Sequence, residues 1–107
     1  MSSIKEIVQN EYIGKYVLVR AYISGVHFGK VKAYDPEIRH VVLEDARILY
    51  RWNGKRLSLR EISLESIVDG KMTASIPQNM ITDVVEILLV SKEAEEGLKN
   101  FKAYECE

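Results

Sequence analysis

The chain has 107 residues, which suits one domain and leaves no room for two. A hydrophobic share of 47% with 29% charged residues is the composition of a globule and not of a disordered segment. A net charge of −1 excludes a general DNA-coating protein, which needs surplus Lys and Arg, and a single cysteine, Cys106, excludes an intrachain disulfide and points to a reducing compartment.

Met1–Glu6 lacks the basic-then-apolar pattern of a secretory signal. No apolar run is long enough to span a bilayer, so a soluble cytoplasmic protein is expected. Ser3-Ile4-Lys5-Glu6 fits a capping box, and Ile4, Ile7 and Val8 share a helical face, which predicts a helix over 3–10. The period then changes to two. Val17, Val19, Ala21 and Ile23 alternate with Tyr16, Leu18, Arg20 and Tyr22, the mark of a strand, and Ser24-Gly25 turns the chain. Val26–Tyr34 reads as a second strand, in which Gly29 marks a sharp bend. Asp35-Pro36-Glu37 is a turn, Ile38–Leu43 a third strand and Arg47–Trp52 a fourth, stopped by Asn53-Gly54. Ser58-Leu59-Arg60-Glu61 is a second capping box and opens a middle helix. Met72–Ile76 is a short strand stopped by Pro77, Asp83–Val90 a last long strand, and Ser91 caps a C-terminal helix. Residues 1–107 thus form one domain: a helix at 3–10, a barrel over 15–90 with a helical insertion at 58–68, and a C-terminal helix and tail over 91–107. The fold class is mainly β (α+β), a small, strongly bent β-barrel with an N-terminal, a middle and a C-terminal helix.

Catalytic and metal motifs are missing. His27 and His40 are not at ligand spacing, there is no HExxH, CxxC or GxSxG, and Gly25–Gly29 is too short for a phosphate loop. No enzyme activity, metal or cofactor is expected. The richest segment is Arg47-Ile48-Leu49-Tyr50-Arg51-Trp52, where two guanidinium forks alternate with aromatic rings. Two readings follow. Arg47 and Arg51 hold phosphates while Tyr50 and Trp52 stack on bases, or the aromatics fill the core and the arginines pair with Glu44 and Glu61. Arg20 and Tyr22 on the first strand, with His27, Arg39 and His40, extend this into a basic, aromatic surface, belong to an ordinary half-exposed sheet face, or form a subunit interface.

Two resemblances add to these readings. Gly14-Lys15-Tyr16-Val17-Leu18-Val19-Arg20, then Gly25–Val31, Tyr34-Asp35 and Val41–Ala46, resemble the first motif of Sm-like proteins, while the Arg-Gly step of their second motif is absent. The resemblance implies an SH3/Sm-like barrel whose edge strands pair into a homo-oligomeric ring. Gly25-Val26-His27-Phe28-Gly29, Ala46–Gly54, Ser58-Leu59 and Val85-Glu86-Ile87 resemble a family of small uncharacterised tailed-phage proteins, which implies a phage origin, hence the host bacterial cytoplasm, and no particular chemistry. Together these lead first to a phage counter-defence protein that binds and sequesters a small cyclic nucleotide immune signal without cleaving it. Arg20, Arg47 and Arg51 would take phosphates, and Tyr22, His27, Tyr50 and Trp52 would stack. The alternatives are an Sm-like binder of RNA or other single-stranded nucleic acid, and a structural or host-protein-binding phage protein. No membrane partner is expected.

Overall fold

The computed structural model describes residues 3–52, 58–67 and 70–103. A single helical turn, α1 (Ile4–Ile7), runs on as a π-helical turn over Val8–Tyr12, and Ser3 caps it by accepting from the Glu6 N–H. Six antiparallel strands follow: β1 (Tyr16–Ala21), β2 (Val26–Asp35), β3 (His40–Trp52), β4 (Gly70–Met72), β5 (Ile76–Ile81) and β6 (Val84–Leu89). Helix α2 (Leu59–Glu65) lies between β3 and β4, and α3 (Lys92–Asn100) follows β6. The strand order is β4-β3-β2-β1-β6, with β5 also pairing β3.

β1 is buried on both faces, Val17, Leu18 and Val19 all being fully enclosed. Val17, Val19 and Ala21 face the barrel interior with Val31, Val41, Leu43, Ala46, Ile81 and Val84. Leu18 faces outward under the two later helices, with Phe28, Leu49, Ile62, Met72 and Leu98. Each sheet face therefore needs apolar residues, and the alternation of polar and apolar positions expected for a half-solvated strand is lost here. Both predicted caps on the later helices form. Ser58 and Glu61 complete a reciprocal capping box, and Ser91 accepts from the Ala94 N–H.

Two expectations are corrected. The predicted third and fourth strands are one strand of 13 residues, β3. What reads as a break at Glu44-Asp45 is a bulge: Asp45 takes the left-handed conformation (φ 51°), and pairing jumps from Lys30↔Glu44 to Phe28↔Arg47. The Asp45 carboxylate is held there by Tyr16 Oη, 2.8 Å away, and by the Ser75 hydroxyl. Gly29 sits opposite the bulge, where a side chain would press on Glu44 O and Leu43 Cβ at 3.0 Å, so this is the bend that the glycine signalled. The second correction is β5. Pro77 does not stop a strand but lies inside one, which is possible because β5 pairs only with β3 and the proline takes no place in that ladder. The Asn53-Gly54 turn and Cys106 lie outside the described residues.

Candidate nucleic-acid interface

The curl of the bent sheet brings three turns together at one end. The β5–β6 turn is the hub. Asp83 O accepts from Tyr22 N at 2.9 Å, and Val84 N donates to Arg39 O at 3.2 Å, so the β1–β2 and β2–β3 turns meet on either side of it. The Asp83 carboxylate also accepts from Ile23 N at 2.6 Å and from Ser24 Oγ at 3.5 Å. Gly25, at φ 90°, closes the β1–β2 turn, in which Ala21 N donates to Gly25 O at 2.7 Å. These bonds fix a turn whose side chains are nearly naked: Tyr22 is 82% and Ile23 83% exposed. On the neighbouring turn Ile38 is exposed, as is Arg39, which is held left-handed at φ 58°. Asp35 Oδ1 accepts from Glu37 N at 3.0 Å and shapes that turn. A flat ring, aliphatic side chains and a guanidinium on a rigid base are the groups that stack on bases and pair with phosphate. A groove of about 350 Å³ between α1 and β2, lined in part by Lys5, Gln9, Lys32 and Tyr34, starts at the same β2–β3 turn.

Of the residues singled out in the sequence, Tyr22 lies in this cluster and His27 lies beneath it. His27 is buried at 3% exposure, with Nε2 2.9 Å from Ser24 Oγ and Nδ1 3.4 Å from Asn79 Nδ2. Its burial makes it a support for the turn and leaves no ring face for a base. Burial also lowers its pKa, against a smaller upward pull from Asp83, so the ring is neutral at neutral pH. Arg20 lies on the outer face of β1, 3.6 Å from Glu86, a carboxylate that Arg60 of α2 also approaches at 4.0 Å.

Arg47 is placed differently from the phosphate-holding role expected of it. It is 5% exposed, and its guanidinium donates to backbone carbonyls: Nε to Thr73 O at 2.8 Å, one terminal nitrogen to Leu98 O at 2.6 Å and Lys99 O at 3.3 Å, the other to Phe101 O at 2.6 Å. Three of these carbonyls end α3, where helix carbonyls lack partners and the dipole favours a cation. Burial lowers the Arg47 pKa, partly offset by Asp45. Trp52 packs against the core beneath α2 and α3, whereas Tyr50 and Arg51 are exposed. The segment 47–52 is thus divided between core, helix clamp and surface, and its arginines and rings do not gather in one place. Sequence reasoning missed Asp83 and Asn79, because β5 and the turn after it went unrecognised. It grouped Arg39 with Tyr22 without the β5–β6 turn, to which both of their turns bond.

Among the described residues no helix is long and apolar enough to cross a membrane, and no three His, Cys, Asp or Glu side chains converge as a metal site.

Residues 14–98 match a domain of unknown function, DUF6948. Among solved structures the chain is similar to a heptameric archaeal Sm protein, at 22% identity over 76% of this chain and 93% of that one, with a TM-score of 0.51. It is similar to the P. aerophilum SmAP1 heptamer, at 20% identity over 85% and 97%, with a TM-score of 0.56. It is also similar to the Pyrococcus abyssii Sm protein in complex with a uridine heptamer, at 21% identity over 83% and 100%, with a TM-score of 0.52. These likenesses establish the Sm fold. No curated protein matches the sequence.

Proposed function

This chain belongs to the DUF6948 family, and we propose that it is a ring-forming, non-enzymatic Sm-type protein that binds single-stranded nucleic acid, RNA foremost. The observation that carries the reading is the turn cluster, where Asp83 bonds to the turn that exposes Tyr22 and Ile23 and the adjoining Val84 bonds to the turn that exposes Ile38 and Arg39. Base stacking on such a ring contributes about 1–3 kcal/mol per base and tolerates many sequences. With a net charge of −1, binding that leans on stacking more than on phosphates fits this chain better than a cationic groove.

Assembly is supported by the sheet edges. Among the described residues β5 pairs only β3 and β6 only β1, and both leave large apolar side chains exposed, Ile76 and Met80 on one, Val85 and Leu89 on the other. Edge strands of this kind are templates for pairing, and two different edges joined head to tail close a ring when the rotation allows. Two of the Sm-fold neighbours are heptamers, and a third is in complex with a uridine heptamer. A ring would repeat one Tyr22–Arg39 cluster per subunit, which multiplies weak contacts.

Sequestration of a small cyclic nucleotide at Arg47 is the weaker reading, because that guanidinium is filled by carbonyls of the chain itself. A phage origin rests on the sequence resemblance alone, and this reading does not need it. The test joins sedimentation with fluorescence anisotropy on a labelled oligouridine. An oligomer that binds the RNA and releases it intact, with Tyr22→Ala weakening binding about 5- to 100-fold, is the expected result. A monomer, or RNA affinity unmoved by Tyr22→Ala and Arg39→Ala together, refutes it.

A further inference from the structure

One polar chain, built around the buried His27, leads from the turn cluster down into β5. It runs from Asp83 through Ser24 and His27 to Asn79. Its two ends differ in kind. Asp83 and Ser24 set the turn that displays Tyr22 and Ile23. Asn79 sits in β5, opposite Leu43, between Gln78 and Met80, whose side chains are exposed. His27 is the middle link and, at 3% exposure, is shut away from solvent.

The atoms assign a direction to the chain. Asn79 Nδ2 carries only hydrogens, so His27 Nδ1 accepts from it across 3.4 Å. The ring proton is then on Nε2 and is donated to Ser24 Oγ at 2.9 Å. That hydroxyl in turn donates to Asp83 Oδ1 at 3.5 Å. The order also explains why Ser, His and Asp lie so close without forming a nucleophilic triad: the histidine donates to the serine and cannot take its proton.

We propose that His27 is a positioning residue that couples nucleic-acid binding at the Tyr22 turn to subunit pairing through the β5 edge. The coupling rests on the functional reading above. It works because one ring holds both elements at once, so a change at either end is felt through the other. Protonation of the ring is the natural way to break it. A proton on Nδ1 would face the Asn79 N–H, donor against donor, and one of the two must turn away. Among the described residues the only charged group facing the ring is Asp83, from the β5–β6 turn. β1 presents Val19 and β3 presents Ile48 opposite His27, while the guanidinium of Arg47 points away to the carbonyls of α3. Burial outweighs the pull of Asp83, so the ring charges only below the ordinary imidazole value.

The test is an NMR titration of the wild-type protein from pH 8 to pH 5, read with oligouridine anisotropy and sedimentation over the same range. The Tyr22 and Ile23 backbone amides and the Asn79 side-chain amide are expected to move together, with the midpoint of the His27 ring. RNA affinity is expected to fall about tenfold across that midpoint as the oligomer loosens, and His27→Gln is expected to abolish the pH response of both. Separate midpoints for Ile23 and Asn79, or the same pH profile in wild type and His27→Gln, overturn the proposal. Should His27→Gln fail to fold, Asn79→Ala cuts the chain at β5: the Ile23 amide should still follow His27 while the Met80 amide stops, and if both still follow, the coupling is refuted. If RNA binds at no pH, the functional reading falls, and the NMR midpoints still decide the coupling.

Discussion

Replacement of Arg47 by methionine separates the two roles that this residue can have. The side chain keeps a similar length and apolar stem but loses every donor. Four carbonyl contacts go with it, to Thr73, Leu98, Lys99 and Phe101, and the C-terminal end of α3 loses its cap. A hydrogen bond to a charged group contributes about 1.5–3 kcal/mol net, and carbonyls left bare in a buried place cost about 1–3 kcal/mol each. The simple sum over the three short bonds is too large, because methionine also removes the cost of burying a guanidinium at 5% exposure. A net loss of about 3 kcal/mol is expected, a large part of the roughly 5–15 kcal/mol that holds a domain together. For a chain of this size that lowers Tm by roughly 10–25 °C. Arg47→Lys should recover only part of it, since one ammonium cannot reach carbonyls on both the β4–β5 connection and α3. Thermal melts by circular dichroism give the magnitude, and amide exchange should show α3 opening first. A ligand-facing arginine would behave in the opposite way, with stability within about 0.5 kcal/mol of wild type and binding abolished. A melt of Arg47→Met within about 4 °C of wild type would refute the clamp.

Three further outcomes are expected. Arg39→Gly removes the guanidinium from the turn cluster and relieves a side chain held at φ 58°, so stability should rise by up to about 1 kcal/mol while RNA affinity falls; loss of stability would show that the side chain holds the turn. Ser66 lies at φ 71° and ψ −171°, a region almost confined to glycine, and its buried Oγ has no hydrogen-bond partner among the described residues. Ser66→Gly should therefore raise stability by about 1–3 kcal/mol in a denaturant titration, whereas Gly97→Ala, whose methyl would overlap Ser66 Oγ and Cβ, should lower it by a similar amount. The Asp45 carboxyl is held below its ordinary value, first by the Ser75 hydroxyl and also by Tyr16, so its contribution is present above about pH 4 and is lost as pH falls through its folded pKa; Asp45→Asn should flatten that part of the acid stability curve, and an unchanged curve would show the bulge does not depend on the charge.

Local chemistry made several elements legible in the sequence. Ser58 and Glu61 announce α2, Ser91 announces α3, and Gly29 announces the bend in β2, because a cap or a close approach of backbones admits few residue types. Tyr22 reads in the sequence as the last member of the strand's non-core face, whereas in the structure β1 ends at Ala21 and Tyr22 opens the exposed turn. β5 was not legible, since Pro77 speaks against a strand unless it is known that only one edge will be paired. The merging of two strands into β3 was equally hidden, because the left-handed Asp45 is stabilised by Tyr16 and Ser75, which are remote in sequence.

By itself, then, the sequence determined a small barrel of bent strands with three helical segments, and it grouped Arg20, Tyr22, His27, Arg39 and His40 as a possible surface. Only the tertiary structure decided which of these meet. The turns that carry Tyr22 and Arg39 meet because both bond to the β5–β6 turn, one at Asp83 and the other at Val84, while Arg47 is drawn inward by carbonyls of a helix that follows it by some 50 residues. Both outcomes depend on partners supplied by distant segments. A buried polar group must find such a partner wherever the fold provides one, and no local pattern encodes where that will be.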